Sequence, residues 1–255
     1  MSPLTVVPGA PESPVIVHLP HAATEIPADV RSGLLLDDDE LAAELAAMTD
    51  AGTDQIGRLA AGLAKARPWL AINRYSRLVV DPERFPDDRE EMAAVGMGAV
   101  YTKTSTRRPL RAPDDRSKED LLARFYRPYA EGMADLVDAR LVAVGRAIVI
   151  DLHSYPRDPL PYELHPDRRR PMTCIGTDPF HTPDRLRDAA VAAFSPLGAV
   201  VTDQPFAGCY VPLRQYRKTL RVTAVMIELR RDGCDTVAAV RRRAETLAGL
   251  IDSLA

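Results

Sequence analysis

The sequence contains little cysteine and none of the common catalytic or nucleotide-binding motifs, and these shortages exclude several protein classes. Its 255 residues include only Cys174, Cys209 and Cys234, none of them in a C-x-x-C pair. A disulfide framework and a cysteine zinc site are therefore not expected. Because G-x-G-x-x-G, Walker A, H-E-x-x-H and G-x-S-x-G motifs are missing, dinucleotide, P-loop, zincin and α/β-hydrolase sites are not indicated.

The chain also lacks an excess of charge of one sign and any long hydrophobic run. Its 33 Lys and Arg and 36 Asp and Glu give a net charge of −3, which provides no general basic surface for nucleic acid or anionic membranes. No apolar run approaches the roughly 20 residues that span a bilayer, and the N-terminal residues have no signal-peptide pattern. We expect a cytoplasmic protein without nucleic-acid or membrane partners, whose oligomeric state the sequence does not indicate.

Short apolar runs, rich in β-branched residues, alternate with helical patterns along the chain. Runs of this length predict strands, and they occur at 14–20, 69–73, 77–81, 147–154, 172–176, 199–203 and 221–230. The gap between the second and third runs is too short for a parallel crossover, so the sheet should be mixed. The alternation predicts a single α/β domain over 14–255, with a mainly parallel sheet flanked by helices, after a loose tail at 1–13.

Residues typical of helix N-termini predict where several of the helices begin. Thr53 has the character of an N-cap, and Ser117 with Asp120 forms a capping-box pattern before a helix that runs to about 145. Pro128 should bend that helix, and Asp235 should cap the last one.

Two of the five histidines lie where predicted central strands end. His21 follows the run 14–20, and His153 is near the end of 147–154. Sites in open α/β sheets gather outside the carboxyl ends of strands, so two imidazoles and a carboxylate there would form a three-ligand zinc site with an open fourth position. Each histidine could equally be a strand-end residue held by hydrogen bonds.

Several acidic residues could complete such a site. Glu25 lies four residues after His21, whereas Asp54 begins a helix and could point back across the sheet edge. Asp54 could also be an ordinary helix N-terminal acid that the helix dipole favours. Asp151 shares a strand face with His153 and could orient an imidazole, or it could pair with an arginine.

Glu228 is an acid inside the apolar run 221–230, where burial costs several kcal/mol, about 2–7, unless the group is partnered. One explanation is a general base beside a metal-bound water, and the other is a salt bridge to Arg221 or Arg230. Arg77 and Arg84 flank the run 77–81, and their guanidinium groups suit capture of a substrate carboxylate. In so arginine-rich a chain, either could also be an ordinary surface charge.

These segments, taken in order from about residue 14 to 230, resemble the N-formylglutamate amidohydrolase family. The family motifs P-H-[SA]-G, T-D, Y-S-R…D-x-N-R, W-x-P-Y-H, D-x-H-S, F-x-G-G and Q-L-E-L are similar to segments of this sequence. Those segments are Leu19–Ala22, Thr53–Asp54, Tyr75–Arg84, Tyr126–Ala130, Asp151–Ser154, Phe206–Cys209 and Ile227–Leu229.

The resemblance implies a zinc-dependent amidase with an α/β fold related to zinc carboxypeptidases, which cleaves N-formylglutamate to formate and glutamate. By position it implies the zinc ligands His21, Asp54 and His153, the catalytic base Glu228, and the substrate-binding residues Arg77 and Arg84. Asp54 is favoured over Glu25 because Glu25 matches no family position.

The sequence departs from the family pattern at Ala23, Glu83, Ala130 and Cys209, where the family has glycine, asparagine, histidine and glycine. These departures leave the exact substrate open among N-acyl amino acids. Two other functions stay possible at this stage: a carboxypeptidase-like peptidase or amidase on small peptides or cell-wall fragments, and a non-catalytic module that binds a small acid. The polar stretch 82–116 could cover the site or lack order.

Overall fold

A computed structural model describes residues 2–255, in which seven strands form one sheet. The strands are β1 Leu4–Val7, β2 Val15–Leu19, β3 Trp69–Asn73, β4 Ala147–Tyr155, β5 Thr173–Gly176, β6 Val200–Thr202 and β7 Val222–Arg230. Their order across the sheet is β1-β3-β2-β4-β7-β5-β6. The pairs β1–β3 and β5–β7 are antiparallel and the other four are parallel. The predicted mixed, mainly parallel sheet is confirmed.

Helices cover both faces of this sheet. The α-helices are α1 Ala28–Arg31, α2 Asp38–Met48, α3 Thr53–Leu63, α4 Asp115–Leu121, α5 Arg127–Val144, α6 Asp184–Phe194 and α7 Val237–Leu254. Side chains of α3, α6 and α7 pack on one face, and those of α5 pack on the other. The α/β prediction is confirmed. Among residues 2–255, every helix is too short or too polar to cross a membrane.

Shorter helical turns occur between these helices. They are the 3₁₀ turns Glu91–Val95, Ser195–Leu197 and Arg231–Gly233, and the π-helical turn Leu122–Tyr126 that joins α4 to α5.

The central strands explain why functional side chains gather at one edge. Every residue of β2 and β4 is buried, as expected for parallel strands covered on both faces. Polar side chains in such strands need partners from other elements. His18 in β2 and Asp151, His153 and Ser154 in β4 are the buried polar residues for which this holds.

Two regions differ from the sequence-based expectations. The supposed loose tail contains the edge strand β1, because its β-branched residues pair antiparallel with β3. The run 77–81 forms turns instead of a strand, because two of its backbone N–H groups bond to Ser76. The Val79 N–H donates to the Ser76 carbonyl, and the Leu78 N–H donates to the Ser76 hydroxyl. The run is apolar because Leu78 and Val79 are buried beneath the following segment, not because it joins the sheet.

The helix starts also need correction. Ser117 does not begin a capping box. The Asp114 side chain instead accepts a hydrogen bond from the backbone N–H of Ser117 and caps the helix. Thr236 caps α7 in place of Asp235. The long helix before residue 145 is interrupted by the π-helical turn, and Pro128 lies in the first turn of α5, where its missing N–H is tolerated.

The polar stretch 82–116 packs over the carboxyl edge of the sheet. Met97, Tyr101 and Leu110 in this stretch are fully buried, which anchors it to the rest of the protein. Its first residues, including Glu83 and Arg84, line the cavity described below. The stretch therefore forms one wall of the site.

Candidate active site

A cavity of about 590 Å³ lies at the carboxyl ends of β2, β4 and β7. Ligand sites of α/β proteins are expected at this edge, and the volume lies in the range of small-molecule sites. His21 enters from the turn after β2, His153 from β4 and Glu228 from β7. The sequence-based placement of these three residues is confirmed by the fold.

Two imidazoles and one carboxylate converge at the floor of the cavity. His21 Nδ1 lies 3.3 Å from His153 Nδ1, and Asp50 Oδ2 lies 2.9 Å from His153 Nδ1 and 3.6 Å from His21 Nδ1. All three side chains are buried. The backbone N–H of Asp50 donates a hydrogen bond of 3.0 Å to the His21 carbonyl, which holds the two segments together.

This group has the donor set and spacing that a zinc ion requires. Tetrahedral zinc with bonds of about 2.0–2.2 Å needs ligand atoms that are roughly 3.3 Å apart, and the observed separations extend from 2.9 to 3.6 Å. The other imidazole nitrogens face carboxylates, as metal-binding histidines commonly do. His21 Nε2 lies 2.9 Å from Asp81 Oδ1, and His153 Nε2 lies 3.0 Å from Asp151 Oδ1. Both Nδ1 atoms are therefore directed to the shared centre.

Electrostatics keeps the Asp50 carboxylate ionised. Burial alone would raise its pKa, but hydrogen bonds with His153 and His21 hold the pKa well below the usual range. An ionised oxygen donor beside two imidazoles is the form that binds a divalent cation.

The structure corrects the expected carboxylate, because it brings Asp50 and not Asp54 to the histidines. Helix α3 begins at Thr53, which is buried, and a helix turns by about 100° per residue, so Asp54 faces outward. The Asp54 side chain is 42% exposed and accepts a hydrogen bond of 2.8 Å from Arg58. Glu25, the alternative, is also exposed.

A sequence signal for Asp50 was present. The pair Thr-Asp occurs twice between residues 49 and 54, at 49–50 and at 53–54, and of these two pairs only the second begins a helix. Position at a helix start therefore favours Asp54, whereas the carboxylate that contacts the two histidines lies in the turn after α2.

Asp151 contacts two histidines. Asp151 Oδ1 lies 2.8 Å from His18 Nδ1, in addition to its contact with His153, and Oδ2 accepts a hydrogen bond of 2.9 Å from Tyr210 N–H. Within residues 2–255 no arginine pairs with it, so the alternative of a simple Asp–Arg pair does not apply. His18, which sequence reasoning missed, also contacts the Tyr129 hydroxyl at 2.6 Å.

Glu228 is a buried carboxyl group beside this centre. It lies directly opposite His153 in the β4–β7 register, and burial raises its pKa to about 7. Among the described residues, no donor forms a hydrogen bond with its Oε2 atom. Neither Arg221 nor Arg230 forms an ion pair with it, and Arg230 pairs with Asp232 instead. An unpartnered carboxyl with a pKa near neutrality suits proton transfer.

We expect Glu228→Gln to stabilise the metal-free protein at high pH. The pKa of Glu228 is raised from 4.5 to about 7, so the folded state holds a proton that the unfolded chain has already released. The free energy of unfolding of the wild type, relative to that of the variant, therefore falls by about 1.4 kcal/mol per pH unit between those two pKa values. The total loss above pH 7 is about 3 kcal/mol. Thermal unfolding at about pH 4 and pH 8 measures this difference. An equal stability difference at both values would contradict the assignment of an ionisation cost to Glu228.

The two predicted substrate-binding arginines differ in how free their guanidinium groups are to bind a substrate. Arg77 donates hydrogen bonds to Asp81 at 2.7 Å and to Tyr101 at 2.9 Å, so its guanidinium is already engaged. Arg84 lies 3.6 Å from Asp81, and its Nε atom has no hydrogen bond with any of the described residues. Arg231, which sequence reasoning missed although it follows the end of β7, also lines the cavity with Nε unbonded.

Three of the four departures from the family pattern line the cavity: Glu83, Ala130 and Cys209. Ala23 lies outside the lining. Glu83 is the only charged residue among the three, and its carboxylate approaches His153 Nε2 to 3.3 Å.

Comparison with known proteins adds evidence independent of this geometry. A family model described as N-formylglutamate amidohydrolase matches residues 13–234. The crystal structure of N-formylglutamate amidohydrolase from Ralstonia eutropha JMP134 is 18% identical in sequence, with a TM-score of 0.81 over 100% of this chain and 97% of that chain. The gene product Atu2144 from Agrobacterium tumefaciens is 22% identical, with a TM-score of 0.74 over 99% and 94%. No curated protein matches the chain significantly. At these identities the structural similarity shows the fold.

Proposed function

The chain belongs to the N-formylglutamate amidohydrolase family, and we propose that it hydrolyses the amide bond of an N-acyl amino acid with a zinc ion held by His21, Asp50 and His153. N-formyl-L-glutamate is the first substrate to test. The observation that carries the proposal is the convergence of two imidazole Nδ1 atoms and one carboxylate oxygen within 3.6 Å on the cavity floor.

The donor set supports zinc in particular. Two imidazoles and one carboxylate are a ligand set of catalytic zinc sites, which leave a further position open. When bound, zinc supplies a Lewis acid that polarises a carbonyl and lowers the pKa of water. Asp81 holds the His21 ring by a hydrogen bond to Nε2, and the Asp151 carboxylate lies 3.0 Å from His153 Nε2, so carboxylates stand behind both imidazoles.

Glu228 has the position and proton affinity of the general base. In its ionised form, the side chain accepts a proton from the attacking water and then delivers that proton to the nitrogen of the leaving amine. The net reaction adds water across the amide C–N bond and releases a carboxylic acid and an amino acid. With N-formyl-L-glutamate, the products are formate and glutamate.

Arginines at the cavity wall suit the carboxylates of a small-molecule substrate. Arg84 keeps a buried Nε atom without a hydrogen bond to the described residues, so it can bind an anion. The Arg231 Nε atom is also unbonded, but the same guanidinium donates hydrogen bonds to the carbonyls of Ala47 and Ser154. Arg77 stays bonded to Asp81 and supports the site through that carboxylate.

The proposal is tested by formate release from N-formyl-L-glutamate. We expect zinc-loaded protein to release formate, chelated protein to release none, and added zinc to restore release. Undiminished turnover in protein shown to be metal-free would refute the metal dependence. If folded, zinc-loaded protein releases no formate, N-formyl-L-glutamate is not the substrate.

A further inference from the structure

The two oxygens of the Asp50 carboxylate face groups of different kinds. Oδ2 lies 2.9 Å from His153 Nδ1 and 3.6 Å from His21 Nδ1, whereas Oδ1 faces the guanidinium groups of Arg231 at 3.5 Å and Arg77 at 3.8 Å. The last torsion of an aspartate side chain is broad, so the side chain alone does not fix which oxygen points where. Two positive charges beside Oδ1 favour the orientation that leaves Oδ2 with the imidazoles.

Arg231 reaches Asp50 from another element and also binds the backbone beside it. It follows β7, and its Nη1 atom donates a hydrogen bond of 2.7 Å to the Ala47 carbonyl, while Nη2 donates one of 3.2 Å to the Ser154 carbonyl. Ala47 lies in the last turn of α2, where carbonyls lack partners within the helix. Ser154 directly follows His153. One guanidinium therefore joins the segments that carry Asp50 and His153.

Arg77 differs from Arg231 in where its hydrogen bonds go. It donates to Asp81 at 2.7 Å and to Tyr101 at 2.9 Å, and its distance of 3.8 Å from Asp50 Oδ1 is too long for a hydrogen bond. Arg77 thus acts on the Asp50 carboxylate as a charge alone. Of the two arginines, Arg231 is the one that combines a charge beside Oδ1 with bonds to the neighbouring backbone.

We infer that Arg231 is a positioning residue, which holds the Asp50 carboxylate in the orientation that binds the metal ion. This inference rests on the proposed zinc centre. A guanidinium so close to a divalent cation also repels it. The expected benefit of Arg231 is therefore geometric, because its planar fork fixes two segments at once. Geometry and charge predict opposite effects on zinc affinity when the arginine is replaced.

Two substitutions separate these effects. Arg231→Lys keeps the positive charge but loses the fork that reaches two carbonyls. We expect it to weaken zinc binding by about 10- to 100-fold, the usual cost of losing a partner behind a metal ligand, in competition with a chromophoric chelator. Arg231→Gln should also weaken zinc binding. Arg241→Lys, the same change at an exposed position on α7, should change the affinity by less than a factor of about two.

The opposite pattern would overturn the inference. If Arg231→Lys binds zinc as wild type does and Arg231→Gln binds it more tightly, Arg231 acts only through its charge. Thermal unfolding of the metal-free variants provides a further comparison. A lower melting temperature with unchanged zinc affinity would mean that Arg231 only supports the fold. If the lysine variant does not fold, the glutamine variant decides alone: weaker zinc binding supports the inference, and equal or tighter binding overturns it.

A double variant tests whether Arg231 acts through Asp50. In the Asp50→Asn background the carboxylate is absent, so Arg231→Lys should lower zinc affinity by less than a factor of about three. A loss as large as in the wild-type background would show that Arg231 acts elsewhere, and the inference would be wrong. Folded wild type that binds no zinc would count against the proposed function, and the inference would fall with it. Zinc binding that no Arg231 substitution weakens would overturn the inference alone.

Discussion

The Glu228→Gln variant should bind zinc as wild type does and lose turnover by about 10²- to 10⁴-fold, the usual contribution of a general acid–base group. The glutamine side chain keeps the shape of Glu228 but cannot accept the proton of the attacking water. Zinc binding should persist because Glu228 is outside the group of His21, Asp50 and His153 whose atoms could hold the ion. Zinc content and steady-state kinetics on one preparation measure both properties.

A surface variant of the same chemical type controls for general effects of the substitution. Glu245 is half-exposed and pairs with Arg241 on the outer surface of α7, so Glu245→Gln should retain wild-type turnover. Activity of zinc-loaded Glu228→Gln within a factor of about three of wild type would remove Glu228 from the reaction.

The second large effect is expected at Asp50. Asp50→Asn replaces an ionised ligand with a neutral amide and should weaken zinc binding by at least about 100-fold, more than the loss of an outer hydrogen-bond partner typically costs. The neighbouring Thr-Asp pair provides the matched control. Asp54 is bonded to Arg58 at the surface, so Asp54→Asn should change zinc affinity by less than a factor of about two.

Competition with a chromophoric zinc chelator gives both affinities. If Asp54→Asn releases zinc while Asp50→Asn retains it, the carboxylate assignment made from the structure is wrong. Circular dichroism of each variant separates loss of the ligand from loss of the fold.

The sequence predicts the site best where long apolar strands carry it. The runs around β2, β4 and β7 could be recognised because fully buried parallel strands are almost continuously hydrophobic. Polar residues at the ends of such runs, His21, His153 and Glu228, are therefore conspicuous, and the fold brings all three to one cavity.

Residues that reach the site from turns could not be placed in this way. Asp50 lies in a turn without periodicity, and its approach to His21 includes a backbone hydrogen bond between segments that are far apart in sequence. The apolar residues before Asp81 predict a strand that ends at this residue. Those residues are buried beneath the stretch 82–116, and burial in a turn produces the same sequence pattern as burial in a strand.

The placement of the zinc ion itself is the most direct test of the proposed centre. An anomalous difference map at the zinc absorption edge, from crystals of the zinc-loaded protein, should show one strong peak within about 2.0–2.2 Å of His21 Nδ1, His153 Nδ1 and an Asp50 oxygen. A peak bound to Asp54 or to other residues, or no peak at this group in crystals shown to contain zinc, would contradict it.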